Sequence, residues 1–416
     1  MMQSLQTIGQ NAQKASALAA RLTTMEKDNI LNACAKALVD EASAILRANQ
    51  NDMELARQAG LTGALLDRLA LTEKRIEDMA KGLRQVAALS DPVGQVLRMD
   101  TMPNGLIVGK KRVPLGVICM IYEARPNVTA DAFGLCLKAG NSVILRGGKE
   151  AIGSNAAIVS VFHRTLDAMG YDPYLVQLIM DTSRETAAAL MRLNQYIDVL
   201  IPRGGAGLIR TVVENSTVPV IETGVGNCHI FVDESADLDN ALAIILNAKT
   251  QRPGVCNACE KVLVHQSVAD KFLPVLGKAL RDAGVEIHGD EACQNAMEGV
   301  IPATEDDWGR EYLDMIIGVR VVQSLEEALR HIAVYGTGHS EAILTNNYAN
   351  AQRFLADVDA AAVYVNASTR FTDGGELGMG AEIGISTQKI HARGPMGLQE
   401  LTSSKLIIYG NGQIRQ

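Results

Sequence analysis

Apolar residues recur at helical spacing through the first part of the chain. Ile30, Leu31, Cys34, Leu38, Ala42 and Ile45 stand against charged neighbours, the stripe that an amphipathic helix buries. Residues 1 to about 90 therefore predict a helical lead-in, which Ser90-Asp91-Pro92 stops. From Val96 to Val113 the pattern alternates around Pro103-Asn104-Gly105, a turn signal between extended segments, and predicts a β-hairpin. After Pro114, short apolar runs alternate with amphipathic ones. Strands are expected at 115–121, 142–146, 174–179, 197–201 and 218–221, with helices near 128–139, 150–169, 184–193 and 206–215. That alternation predicts a parallel sheet covered on both faces, with a dinucleotide at the carboxyl ends of its strands. A second α/β unit begins after Gly226: strand 229–232, helix 237–249, strand 261–265, helix 267–283, then strands at 340–344 and 360–365. The expected division is a cofactor-binding domain over 1–224, a second domain over 225–366, and a segment 367–416 that returns to the first. Within that last segment the glycine-rich 373–384 reads as a loop or lid, and Lys405 to Tyr409 as an apolar strand with no obvious local partner.

Composition narrows the class. At 416 residues and 47% hydrophobic, the chain is too long for one ordinary core. A net charge of −8 argues against a nucleic-acid partner, which would call for a basic face. The seven scattered cysteines do not resemble a secreted disulfide framework. With no apolar run near the roughly 20 residues of a membrane span, the expectation is a soluble cytoplasmic protein with no membrane partner.

The stretch Gln251-Arg252-Pro253-Gly254-Val255-Cys256-Asn257-Ala258-Cys259-Glu260 carries the most chemistry. Pro-Gly ends the preceding helix and leaves Cys256 on a loop where backbone N–H groups can face an oxyanion. The residues alone leave Cys256 open between a buried structural thiol and a nucleophile. Cys259 completes C-x-x-C, but Cys228 and His229 supply no second pair at metal-ligand spacing, so no metal site is expected. Arg203-Gly204-Gly205-Ala206-Gly207 is a glycine turn able to approach a pyrophosphate, although Arg210 stands where G-x-G-x-x-G needs its third glycine. Leu145-Arg146-Gly147-Gly148-Lys149 puts two cations just after a strand, and without Ser or Thr following the lysine it is not a P-loop.

An acid-then-glycine turn at Glu222-Thr223-Gly224, thirty-four positions before Cys256, resembles the arrangement of the aldehyde dehydrogenase superfamily. Tyr122 to Asn127, Ile201 to Gly207, Lys249 to Pro253, Asn366 to Phe371 and Lys389 to Gly397 resemble its γ-glutamyl phosphate reductase family. The resemblance runs the length of the chain. It implies an aldehyde dehydrogenase-like fold of two Rossmann-like α/β domains, with the hairpin and the C-terminal strand as an oligomerisation arm. It further implies reduction of L-glutamyl 5-phosphate by NADPH through a thioester on Cys256, since a thioester stays electrophilic enough to accept hydride.

The other roles follow from the same resemblance. Asn127 falls near the oxyanion donor, with Arg125 as the equivalent if the alignment slips by two residues. Glu222 matches the base of hydrolytic members, a role at odds with a phosphorylating enzyme, and is equally a turn acid. Arg146 and Lys149 meet the adenosine ribose and favour a 2′-phosphate. Gly204 and Gly205 approach the pyrophosphate, and Glu311 the nicotinamide ribose. Arg370 clamps the α-carboxylate with Ser368 and Thr369 as hydroxyl donors, while Arg125 and Arg252 are further cations. A homo-oligomer and an association with glutamate kinase are the implied partners. Two alternatives stay open: a hydrolysing aldehyde dehydrogenase with Glu222 as base, and a non-catalytic nucleotide-binding redox regulator.

Overall fold

The computed structural model describes residues 4–415, in two compact units. The first comprises Met1–Thr223, Gly378–Gly384 and Met396–Gln416, and the second Gly224–Leu377 and Ile385–Pro395. No helix among the described residues is long and apolar enough to cross a membrane.

In the first unit the lead-in forms five helices, Leu5–Ala19, Thr24–Asp40, Ala42–Gln58, Gly63–Leu69 and Glu73–Ala88. Ser4, Thr23 and Thr72 cap three of them through their hydroxyls, Thr23 in a reciprocal box with Glu26. Ile30, Leu31, Cys34 and Leu38 are all buried. Asp91 does more than mark the end of the lead-in: its carboxylate takes the buried Lys27 ammonium at 2.8 Å and the Val93 amide.

The hairpin is β1 (Val96–Thr101) and β2 (Ile107–Pro114), turned at Gly105, whose φ of 83° favours glycine. The strand Thr402–Tyr409, without a partner nearby in sequence, pairs antiparallel with β2 from Thr402 opposite Pro114 to Tyr409 opposite Ile107. Val96, Leu97, Met99, Leu406, Ile408 and Tyr409 of this three-stranded sheet are exposed.

Four parallel strands make the central sheet of the unit: β3 (Val117–Tyr122), β4 (Ser142–Arg146), β5 (Val176–Leu178) and β6 (Val199–Arg203), in the order β5-β4-β3-β6. Every residue of β3 is buried. The chain winds to one side of β3 for β4 and β5 and to the other for β6, and such a reversal opens a crevice at the strands' carboxyl ends. The strand expected at 218–221 reduces to a single bridge between Leu200 and Val220. Pro219 lends its carbonyl to Leu200 but has no N–H with which to extend a ladder.

The second unit holds a wholly parallel sheet of β7 (Cys228–Val232), β8 (Cys259–His265), β9 (Glu286–Gly289), β10 (Ile301–Pro302), β11 (Ile316–Val322), β12 (Ser340–Leu344) and β13 (Ala362–Val365), ordered β10-β9-β11-β8-β7-β12-β13. β9, β10 and β11 lie outside the strands expected from the sequence. The first two are four and two residues long. In β11, Gly318 interrupts the apolar run, and the Lys261 side chain lies where a Cβ would be, 2.7 Å away.

Candidate active site

Cys256 lies three residues before β8, at the amino end of the second unit's sheet. The helix Leu238–Thr250 ends at Gln251, and a turn closed by Ala258 N–H donating to the Val255 carbonyl at 3.1 Å brings the chain into the strand. Of the seven cysteines, Cys256 alone is not buried. Burial pushes the thiols of Cys34, Cys119 and Cys259 up to about 12, which keeps them protonated and inert. Cys259, one half of the C-x-x-C, packs with its Sγ 3.3 Å from the Lys261 carbonyl, and the described residues contain no group of three or more metal-ligating side chains placed to hold an ion.

The loop is held through its backbone. A Cβ on Gly226 would fall 1.5 Å from the Cys256 carbonyl oxygen, so the two main chains touch directly. The Cys228 thiol donates to the same oxygen at 3.1 Å. Gly226 N–H in turn donates to Glu311 Oε1 at 2.7 Å. Burial is the largest influence on Glu311 and raises its pKa, while the Gly226 amide, Lys261 and Lys249 work against the rise.

Beneath it, the fully buried Glu260 accepts from the amides of Tyr312 and Leu313, at 3.2 and 3.3 Å, and from Lys249 Nζ at 3.3 Å. These bonds fix a segment in which Leu313 takes a φ of 57°, a conformation that costs a branched residue of order 1 kcal/mol or more. Glu260 thus positions Glu311, Glu311 positions Gly226, and Gly226 positions Cys256. His229 belongs to the packing, its amide and Nδ1 both meeting Glu341.

On the other side, Asn257 ties the cysteine loop to the turn Thr369–Phe371. Its amide donates to the Thr372 carbonyl at 2.9 Å, its side-chain oxygen accepts from Arg370 Nη1, and its carbonyl accepts the Thr369 hydroxyl at 2.7 Å. Thr369 is fully buried, with its hydroxyl engaged in this way, and Ser368 caps the Arg370 amide at 3.3 Å. These two hydroxyls therefore hold Arg370. Burial and the neighbouring Arg252 lower the Arg370 pKa, whereas Asp373 and a Cys256 thiolate raise it. One electrostatic neighbourhood therefore contains Arg252, Cys256 and Arg370, with Arg252 itself exposed.

The first unit has a separate cavity of about 1290 Å³ at the carboxyl ends of β3, β4 and β5, with Tyr122, Arg146, Lys149 and Asp181 in its wall. Arg146 Nη2 donates to the carbonyls of Thr182 and Ser183, at 2.6 and 3.2 Å. Its Nε is buried without a hydrogen-bond partner. From the glycine turn the wall takes Gly207 and Leu208, and not Gly204 or Gly205. The Glu123 carboxylate explains this: it accepts from Gly205 N–H at 3.2 Å, at the amino end of the helix Ala206–Asn215, where an anion is stabilised.

Asn127 begins the helix Asn127–Lys138 but does not cap it, since Pro126 takes that place. Its amide reaches one turn on and donates to Asp131 Oδ2 at 3.1 Å. Arg125 forms the entry turn, its amide on the Glu123 carbonyl and its own carbonyl accepting Val128 N–H. Glu222 is half-buried between the buried Ile221 and Thr223. Burial pushes the Asp131 carboxyl up to about 6, opposed by Asn127 and Arg203.

A carboxyl whose pKa is higher folded than unfolded favours the folded state fully below the unfolded value near 3.8, and that benefit is lost as pH rises through about 6. Thermal melts from pH 4 to 7 are expected to show a falling stability component that Asp131→Asn removes; an unchanged slope in the variant would refute it.

Sequence reasoning missed Asn257, Glu260 and Glu123. The first two lie inside the cysteine stretch, and Glu260 directly follows the C-x-x-C as an acid at the start of an apolar strand, a position that demands a buried partner.

The sequence profile of the aldehyde dehydrogenase family matches residues 3–314. A protein of Moorella thermoacetica named gamma-glutamyl phosphate reductase is 63% identical over 412 residues, covering 99% of each chain. The crystal structure of gamma-glutamyl phosphate reductase from Thermotoga maritima superposes with a TM-score of 0.97 at 50% identity, covering 100% of both chains. An acetylating aldehyde dehydrogenase of Geobacillus thermoglucosidasius, 17% identical with a TM-score of 0.71 over 99% of this chain and 97% of its own, shares the fold. The chain belongs to the aldehyde dehydrogenase family, and within it stands beside the proteins named gamma-glutamyl phosphate reductase.

Proposed function

We propose that the chain reduces L-glutamyl 5-phosphate to L-glutamate 5-semialdehyde and phosphate with NADPH, a step in proline biosynthesis. The observation that carries the reading is Cys256, the one cysteine that is not buried, held by its main chain next to Arg370, in a chain alike over its whole length to reductases of that name.

The Cys256 thiolate attacks the acyl carbon of the substrate, a C–S bond forms, and the C–O bond to phosphate breaks with its electron pair leaving on phosphate. A dinucleotide held by Arg146 and Lys149 would supply the hydride that takes this thioester to a thiohemiacetal. The Cys256 backbone N–H stabilises the oxyanion, and one such donor is worth about 10²–10³ in rate. Collapse of the thiohemiacetal breaks the C–S bond and frees the aldehyde and the thiolate. Arg370 binds the α-carboxylate, and Ser368 and Thr369 keep its guanidinium in place. Arg252, exposed beside the cysteine loop, is a cation for the phosphate.

The first unit's cavity suits a dinucleotide phosphate. Arg146 keeps a buried donor without a partner, and Lys149 adds an exposed cation on the same wall. Glu311, fastened to Gly226, is the group for the nicotinamide ribose. Lys149→Glu is expected to lower kcat/KM for NADPH by about 10- to 100-fold while that for NADH holds or rises; equal losses with both would remove Lys149 from the 2′-phosphate site. The exposed apolar residues of the three-stranded sheet support its use as an oligomerisation arm.

The test of the whole reading is oxidation of glutamate 5-semialdehyde with NADP. Turnover must require phosphate, because phosphate is what resolves the thioester in this direction. Turnover without phosphate would instead point to water and to Glu222 as base.

A further inference from the structure

A hollow of about 170 Å³ in the second unit is lined by Asn247, Gln251, Arg370, Phe371, Asp373 and Glu376. It presents a guanidinium and two carboxylates to one small space. Neither carboxylate is joined to Arg370 by an ion pair among the described residues, although Asp373 is near enough to act on it electrostatically. Arg370 spends Nε on Gln251 Oε1 at 2.9 Å and Nη1 on Asn257, which leaves Nη2. Asp373 is half-buried, and its Oδ1 accepts the amides of Gly375 and Glu376 at 2.8 and 3.4 Å, which leaves Oδ2. A cation and an anion fixed by separate bonds and kept apart across a hollow suit a ligand that carries both charges on one carbon.

We propose that this hollow receives the α-amino-acid end of the substrate, Arg370 taking the α-carboxylate and Asp373 the α-ammonium, so that Asp373 sets the preference for an amino acid over its des-amino analogue. The inference rests on the function proposed above. A guanidinium alone would accept glutaryl and glutamyl chains alike. A carboxylate fixed opposite it gains a charge-assisted bond with the amino acid and keeps an unanswered charge with the analogue. Glu376, exposed at the rim, is too well solvated to discriminate in this way.

The test compares kcat/KM for glutamate 5-semialdehyde with that for 5-oxopentanoate, which lacks the amino group, both with NADP and phosphate. In Asp373→Asn the ratio between the two substrates is expected to fall by about 10- to 100-fold, the worth of one hydrogen bond to a charged group. In Glu376→Gln it should move by less than about twofold. Because the analogue is turned over by the same protein, it reports on folding. Equal losses on both substrates, an unchanged ratio in Asp373→Asn, or the larger fall in Glu376→Gln would each overturn the assignment. Wild-type protein inactive on both substrates would instead remove the parent function, and the assignment with it.

Discussion

Cys256→Ser is expected to lower the reductase kcat by about 10⁴-fold or more, with NADPH binding, followed by its fluorescence, unchanged. The hydroxyl is a far weaker nucleophile than a thiolate. An ester on serine would also accept hydride poorly, so both halves of the reaction suffer from a single atom exchange. The fold should be indifferent, because the contacts from Gly226 and Cys228 are made to the residue's main chain and not to its sulfur. Ordinary reductase turnover in this variant would end the thioester mechanism.

Gly226→Ala should be nearly as damaging by a different route. The added methyl would fall 1.5 Å from the Cys256 carbonyl oxygen and 2.3 Å from its carbonyl carbon, and no rotamer can relieve a clash with main chain. The cysteine loop must shift, and with it the Gly226 bond to Glu311. We expect activity to fall by at least about 10²-fold, as a displacement near 1 Å commonly costs, and stability to drop by about 3 kcal/mol. Gly207→Ala is the contrast in stability. Its Cβ would meet nothing within 4 Å in a helix, so a gain of about 0.5–1 kcal/mol is expected. Equal melting temperatures for Gly226→Ala and wild type would show that the loop tolerates the displacement.

What hydropathy could reveal depended on where the buried partner came from. β3, β4 and β6 are short apolar runs, each followed by a helix, and their period and length were enough. The C-terminal strand was visible as a strand, but its pairing with β2 joins residues nearly three hundred positions apart, which no local pattern encodes. β9 and β10 are too short for a period to show, whereas β11, Ile316-Ile317-Gly318-Val319-Arg320-Val321-Val322, is an apolar β-branched run that is legible as a strand.

The candidate site divided in the same way. Cys256 and Arg370 lie in segments whose types and spacing resemble the family, so they stood out. Thr369 did too, yet its hydroxyl faces Asn257 and not open space. The importance of Asn257, Glu260 and Asp373 depends on who faces them, and spacing alone holds no such information.

The route of the chain limits how this protein can be divided. It changes unit at 223/224, 377/378, 384/385 and 395/396, and the last piece delivers Thr402–Tyr409 to β2. A fragment ending at residue 223 would keep every strand of its parallel sheet and still leave one side of the hairpin bare, its amides and carbonyls open to any passing strand. Such a half would aggregate on expression, and supplying residues 396–416 on a linker should make it soluble.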